Sequence, residues 1–246
     1  MFAGVRGGLV VGHIVYGLLL GCFFPLFEQK TKQAILKSWS RNLLNILRVH
    51  IRSDGQLEAA AMRGRLLVAN HISWLDVIAM NAVTPACYVA KSEVRKWPVL
   101  GWMCYRVGTL FIQRGVRRDS LRINRAISEK LKRGECLALF PEGTSTDGVL
   151  PGHFHSSLLQ GAIESNSNVC PVAIRYHDGT GQANSEAAYI GEMSFVESLW
   201  KILCSSSLHV TLYYLPQLSC TGKSRALLAS EAQRSIYLIL AKFMPE

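Results

Sequence analysis

The chain has 246 residues, 49% of them hydrophobic, and a formal net charge of +10, which is enough for one full core. The basic excess favours anionic partners. Nucleic acid is set aside, because no helix-turn-helix, RRM or zinc-finger pattern is present and the basic residues are not interleaved with stacking aromatics.

From Gly7 to Phe27 the sequence carries no formal charge. As a helix this run would span about 31 Å, close to the hydrocarbon thickness of a bilayer. Two GxxxG spacings, Gly8–Gly12 and Gly17–Gly21, would let another helix approach. His13, the glycines and Pro25 leave a re-entrant or interfacial placement open. Leu19-Leu20-Gly21-Cys22 loosely resembles a lipoprotein cleavage box, but Leu20 is a poor residue before the cleavage glycine and only Arg6 precedes the run. Lys30, Lys32, Lys37, Arg41 and Arg48 follow at once, and the positive-inside bias places the rest of the chain in the cytoplasm. Residues 31–48 read as an amphipathic helix with Ile35, Trp39, Leu43, Ile46 and Leu47 as its stripe. Two roles remain open for it: resting on anionic headgroups with Trp39 at the interface, or packing on the core. The division expected is an N-terminal anchor and amphipathic helix over 1–50 and a catalytic domain over 51–246.

Further on, strands are expected at Arg65–Asn70, Cys87–Ala90, Gly108–Ile112, Cys136–Phe140, Val169–Arg175 and Leu208–Leu215. Helices are expected from Ser73, as N-cap, to Asn81, over 117–133 up to Gly134, and over 228–243. Strands alternating with helices predict an α/β fold. The seven cysteines (Cys22, Cys87, Cys104, Cys136, Cys170, Cys204 and Cys220) are scattered, odd in number and without CxxC spacing. That argues for reduced thiols rather than disulfides or zinc.

Three short segments hold residues suited to chemistry. In Asn70-His71-Ile72-Ser73-Trp74-Leu75-Asp76 a histidine base and a carboxylate partner stand five positions apart. A hydroxyl acceptor needs such a base at neutral pH, and a carboxylate on the second ring nitrogen would fix the tautomer. On one continuous helix the two would point about 140° apart, so His71 belongs on the strand-to-helix turn and Asp76 in the first helical turn. Ser73-x-x-Asp76 also fits a capping box, in which Asp76 is purely structural. In Phe140-Pro141-Glu142-Gly143-Thr144-Ser145 a turn leaves a strand end with a fixed acceptor and a permissive glycine. In Phe111-Ile112-Gln113-Arg114 a guanidinium leaves another strand end, free to fork onto a phosphate or to be a solvated surface group. His153 and His155 form an HxH with no evident third ligand.

Taken together and in this order, these segments resemble the blocks of the glycerolipid acyltransferases related to bacterial 1-acyl-sn-glycerol-3-phosphate acyltransferase. His71-x4-Asp76 resembles the first block, Gly108–Arg114 the second, Phe140–Thr144 the third and Val169-Cys170-Pro171-Val172 the fourth. Lys91 stands where many members have a lysine. The resemblance covers roughly residues 65–215 and implies a mixed sheet flanked by helices, with a membrane-associated N-terminal segment.

It also implies that His71, aided by Asp76, deprotonates an acceptor hydroxyl, which attacks the thioester of acyl-CoA or acyl-carrier protein. Lys91, Arg114, Glu142, Gly143 and Thr144 would hold the acceptor headgroup, and no cofactor or metal would be needed. Phosphatidic acid is the implied product. One departure bears on this: Ser145 stands where many members carry arginine against the acceptor phosphate, as in members that acylate lyso-ornithine lipid. A third possibility is a non-enzymatic protein whose basic face holds anionic lipid.

Overall fold

The computed structural model describes residues 2–55, 64–205 and 207–244. Seven strands form one mixed sheet in the order β1-β7-β6-β2-β5-β3-β4: β1 (Val49–Asp54), β2 (Leu66–Ala69), β3 (Cys87–Lys91), β4 (Leu110–Ile112), β5 (Leu137–Leu139), β6 (Val169–His177) and β7 (Leu208–Tyr214). β2, β3, β4, β5 and β6 run parallel, while β7 turns antiparallel to β6 and takes β1 with it.

The helices α1 (Phe2–Phe23), α2 (Gln29–Leu47), α3 (Leu75–Val83) and α7 (Phe195–Cys204) pack on one face. On the other lie α5 (Arg117–Lys132), α6 (Gln160–Ser165) and α8 (Arg225–Leu240). A short α4 (Leu100–Arg106) lies against α1. With helices on both faces, the central strands must be apolar on both sides. In β2, Leu67 and Ala69 face one layer and Leu66 and Val68 the other, all fully buried.

The mixed sheet matches the expected class, but several boundaries move. α3 starts at Leu75, and Trp74, not Ser73, is its N-cap, without a side-chain bond. Ser73 instead accepts the Leu75 N–H at 3.3 Å. Gly108 and Thr109 lie outside β4: Gly108 has φ +89°, and the Thr109 N–H bonds back to Cys104 of α4 at 3.0 Å. The last helix starts three residues early, at Arg225, where Ser224 caps it, and from Ala241 it tightens into a 3₁₀ turn.

The N-terminal run is helical, and Ala3–Leu26 is long and apolar enough to cross a membrane. Its second GxxxG spacing is used within the chain. A Cβ on Gly17 would lie 2.7 Å from Met103 and Trp39, and one on Gly21 would lie 2.7 Å from Trp102. Trp39 is committed inward too, exchanging hydrogen bonds with His13 of α1 at 3.0 and 3.3 Å. The seven cysteines are free, with Cys136, Cys170 and Cys220 buried and Cys22 and Cys204 exposed.

The topology creates the crevice. β2 leaves through α3 on one face toward β3, whereas its neighbour β5 leaves through α6 on the opposite face toward β6. Adjacent parallel strands whose connections depart in opposite directions open a cleft at their carboxyl ends.

Candidate active site

His71 lies two residues beyond β2, on the turn into α3. Asn70 fixes that turn: its side chain exchanges two hydrogen bonds with the Ile174 backbone of β6, at 3.0 and 2.8 Å. The His71 ring stacks on Phe140 at 4.2 Å between centroids, 16° from parallel. Its Nδ1 lies 2.8 Å from Asp76 Oδ2. Asp76 is fully buried and His71 is 23% exposed, so the carboxylate is shielded and the imidazole reachable.

The Asp76 carboxylate does two jobs. Oδ2 also accepts the Ile72 and Ser73 N–H groups at 2.7 and 2.9 Å, which closes the turn, and Oδ1 accepts the Tyr176 hydroxyl at 2.9 Å. Closing the turn and holding the imidazole are therefore done by the same group, although Ser73 is not the N-cap that a capping box requires. Nδ1–H donation to Asp76 leaves Nε2 as the basic nitrogen, and among the described residues Nε2 has no partner.

Glu142, beyond β5, is 6% exposed, and its Oε1 accepts the His71 backbone N–H at 3.1 Å. Oε2 is buried beside Gly152 without a hydrogen bond of normal geometry. Thr146 N–H donates to the His71 carbonyl at 2.8 Å. Glu142 is thus a clamp on the His71 turn.

Burial raises the Glu142 carboxyl above its ordinary value, and the His71 N–H and charge pull it partly back. A carboxyl raised in the folded state makes ionisation unfavourable to folding, so its contribution falls as pH rises through the folded value. Glu142→Gln is expected to raise the melting temperature relative to the parent at pH 7.5 and to lose that gain at pH 4, below the unfolded value of about 4.3. Paired melts at the two pH values check this; an equal difference at both would refute it.

Arg114, two residues past β4, donates from Nη1 to the Gly143 carbonyl. Gly143 has φ +76°, and a Cβ there would stand 3.1 Å from the guanidinium, so this approach needs glycine. Lys91 and Thr144 are exposed at neighbouring strand ends and make no side-chain hydrogen bond among the described residues. The Ser145 hydroxyl donates to the Tyr189 carbonyl.

A cavity of about 650 Å³ opens beside this edge. Arg114, Gly143, His153 and His155 line its polar side, and Phe140, which carries His71 on its ring, is part of the wall. His153 and His155 meet edge to face at 5.1 Å. Among the described residues no group of three or more His, Cys, Asp or Glu could hold a metal ion.

Of the residues singled out in the sequence, the fold brings His71, Asp76 and Glu142 into one hydrogen-bonded group. It brings Arg114 and Gly143 into a second, with Lys91 and Thr144 nearby but untethered. Tyr176 and the stacking role of Phe140 carry no spacing signal relative to His71.

The family model described as Acyltransferase matches residues 50–175. The chain belongs to the acyltransferase family. This acyltransferase is 34% identical over 243 residues to the lyso-ornithine lipid O-acyltransferase of Pseudomonas aeruginosa, covering 96% of this chain and 92% of that protein. It is 37% identical over 179 residues to the 1-acyl-sn-glycerol-3-phosphate acyltransferase of Neisseria meningitidis, covering 72% and 70%. The acyltransferase also shares its fold with the crystal structure of the 1-acyl-sn-glycerophosphate acyltransferase from Thermotoga maritima. That match has a TM-score of 0.67 at 19% identity and covers 98% and 97% of the two chains.

Proposed function

We propose that this enzyme moves an acyl group from a thioester, acyl-CoA or acyl-carrier protein, to the free hydroxyl of a lysolipid, with His71 as general base. The observation that carries the reading is the 2.8 Å contact between His71 Nδ1 and the fully buried Asp76. His71 Nε2 takes the hydroxyl proton as the oxygen attacks the thioester carbonyl carbon. The tetrahedral intermediate expels the thiolate, which receives the proton from the imidazolium that Asp76 stabilises. The chemistry calls for no cofactor beyond the thioester co-substrate.

Between the two acceptors, the site favours lyso-ornithine lipid. Position 145 supplies no cation, and its hydroxyl is spent on Tyr189. The relative matching nearly the whole chain is named for that substrate. One guanidinium suffices for a single carboxylate, and Arg114 provides it. Lyso-phosphatidic acid is the second reading, favoured by Lys91 at the end of β3, by Arg114 two residues beyond the paired strand β4, and by the Neisseria relative.

Purified enzyme in detergent, assayed side by side on both acceptors, decides between them. Ser145→Arg adds a charge-assisted contact worth about 1.5–3 kcal/mol. It is expected to move the kcat/KM ratio about ten- to a hundredfold toward the phosphate acceptor. An unchanged ratio would remove position 145 from headgroup selection.

The same reading places the enzyme on the cytoplasmic face of a membrane. Exposed α1 residues Leu9, Val15, Leu19 and Phe23, with Trp102 of α4 and Trp200 of α7, make an apolar surface. Lys32, Arg95 and Lys201 border it in sequence, suiting anionic headgroups.

A further inference from the structure

Asp76 Oδ2 has three donors, all from its own turn, whereas Oδ1 has one, and that one comes from 100 residues away. Tyr176 lies near the end of β6, next to β2 in the sheet, and is 4% exposed. Its ring packs in the same apolar cluster as Leu75 and Ala79 of α3. Nothing else among the described residues bonds to Oδ1.

We infer that Tyr176 is a positioning residue for acyl transfer, fixing the Asp76 carboxylate through its hydroxyl so that the carboxylate in turn fixes the His71 ring. This rests on the reading of His71 as base. A carboxylate held only at Oδ2 is free to pivot about that oxygen, and the imidazole it orients would pivot with it. The geometry required of a general base is tighter than such motion allows.

The Tyr176 hydroxyl also acts electrostatically. A phenol donating to Oδ1 draws negative charge away from Oδ2, so the His71–Asp76 pair holds an additional proton less strongly. Burial, with Asp76 second, pushes the Tyr176 phenol well above its ordinary value. It therefore remains a donor throughout the working range of the enzyme.

Tyr176→Phe keeps the ring and removes only the hydroxyl. The variant is expected to lose about tenfold in kcat, the consequence of one lost hydrogen bond to a charged group. The acid limb of its kcat/KM profile is expected to move to higher pH. A purely packing role predicts neither change, because phenylalanine fills the same space.

Site-specific replacement of Tyr176 by 3-fluorotyrosine, a stronger donor of nearly the same shape, is expected to move the acid limb the other way. Parent-like kcat and an unmoved limb in both variants would overturn the inference. His71→Ala, run alongside, separates the two ideas. If it retains activity, the base assignment fails. If it is inactive while Tyr176→Phe behaves as parent, only the role of Tyr176 fails.

Discussion

Replacing His71 with alanine is expected to lower kcat by about 10²–10⁴-fold, the range for losing a positioned general base, while leaving the fold nearly untouched. The structural bonds at this position belong to the backbone. The N–H donates to Glu142 Oε1 at 3.1 Å, and the carbonyl accepts Thr146 N–H at 2.8 Å. Alanine keeps both. Asp76, left without the imidazole, still has the Ile72 and Ser73 N–H groups and the Tyr176 hydroxyl. Its charge therefore stays solvated by the protein, and the penalty for an unpaired buried carboxylate is largely avoided. The stacking contact with Phe140 is lost at a partly exposed site, a loss of modest size. The measurement is a thioester-dependent acyl-transfer rate beside a thermal melt. Activity within tenfold of the parent would remove His71 from the chemistry.

The residues that meet in this site were readable in the sequence because they are local. His71 and Asp76 belong to one turn, and the angle of about 140° they would point apart on a continuous helix puts the histidine on the strand end. Arg114 and Glu142 were readable as strand-end residues because short apolar runs precede them. What brings these ends together is the order β2-β5-β3-β4, which no local pattern encodes.

The elements without an expectation in the sequence differ in their physical causes. β1 (VHIRSD) is an edge strand whose exposed face alternates with polar residues, so it lacks the apolar run that marks a buried strand. α4 has 7 residues and α6 has 6, too short to show a periodic stripe. α7 does carry an apolar stripe (Phe195, Leu199, Ile202 and Leu203) opposite Glu197 and Lys201, so its helical pattern is legible and the absence of an expectation there has no structural cause. The roles of Glu142 and Tyr176 were invisible for another reason. Each depends on a hydrogen bond spanning 71 or 100 residues, and each reports a tertiary contact rather than a local preference.

Asp76 separates structure from chemistry most sharply, because two substitutions remove the charge and differ in what they leave behind. Asp76→Asn keeps an oxygen for the Ile72 and Ser73 N–H groups and presents an amide that the Tyr176 oxygen can accept. The turn therefore closes, and the melting temperature stays near the parent's. Without the negative charge, however, the imidazolium forming on His71 is no longer stabilised, although the amide oxygen still accepts the His71 Nδ1–H. The expected loss in kcat is about 10³–10⁴-fold. Asp76→Ala should be as inactive, and it also strands two backbone donors and a buried phenol at a cost of about 1–3 kcal/mol each, so its melt falls as well. If Asp76 served only to close the turn, the asparagine variant would retain activity and stability together. The double variant His71→Ala with Asp76→Asn provides the decisive check. Groups acting as one unit are non-additive, so it is expected to be no slower than the slower single variant. Losses that multiply would mean that the carboxylate acts on the reaction by a route independent of the imidazole.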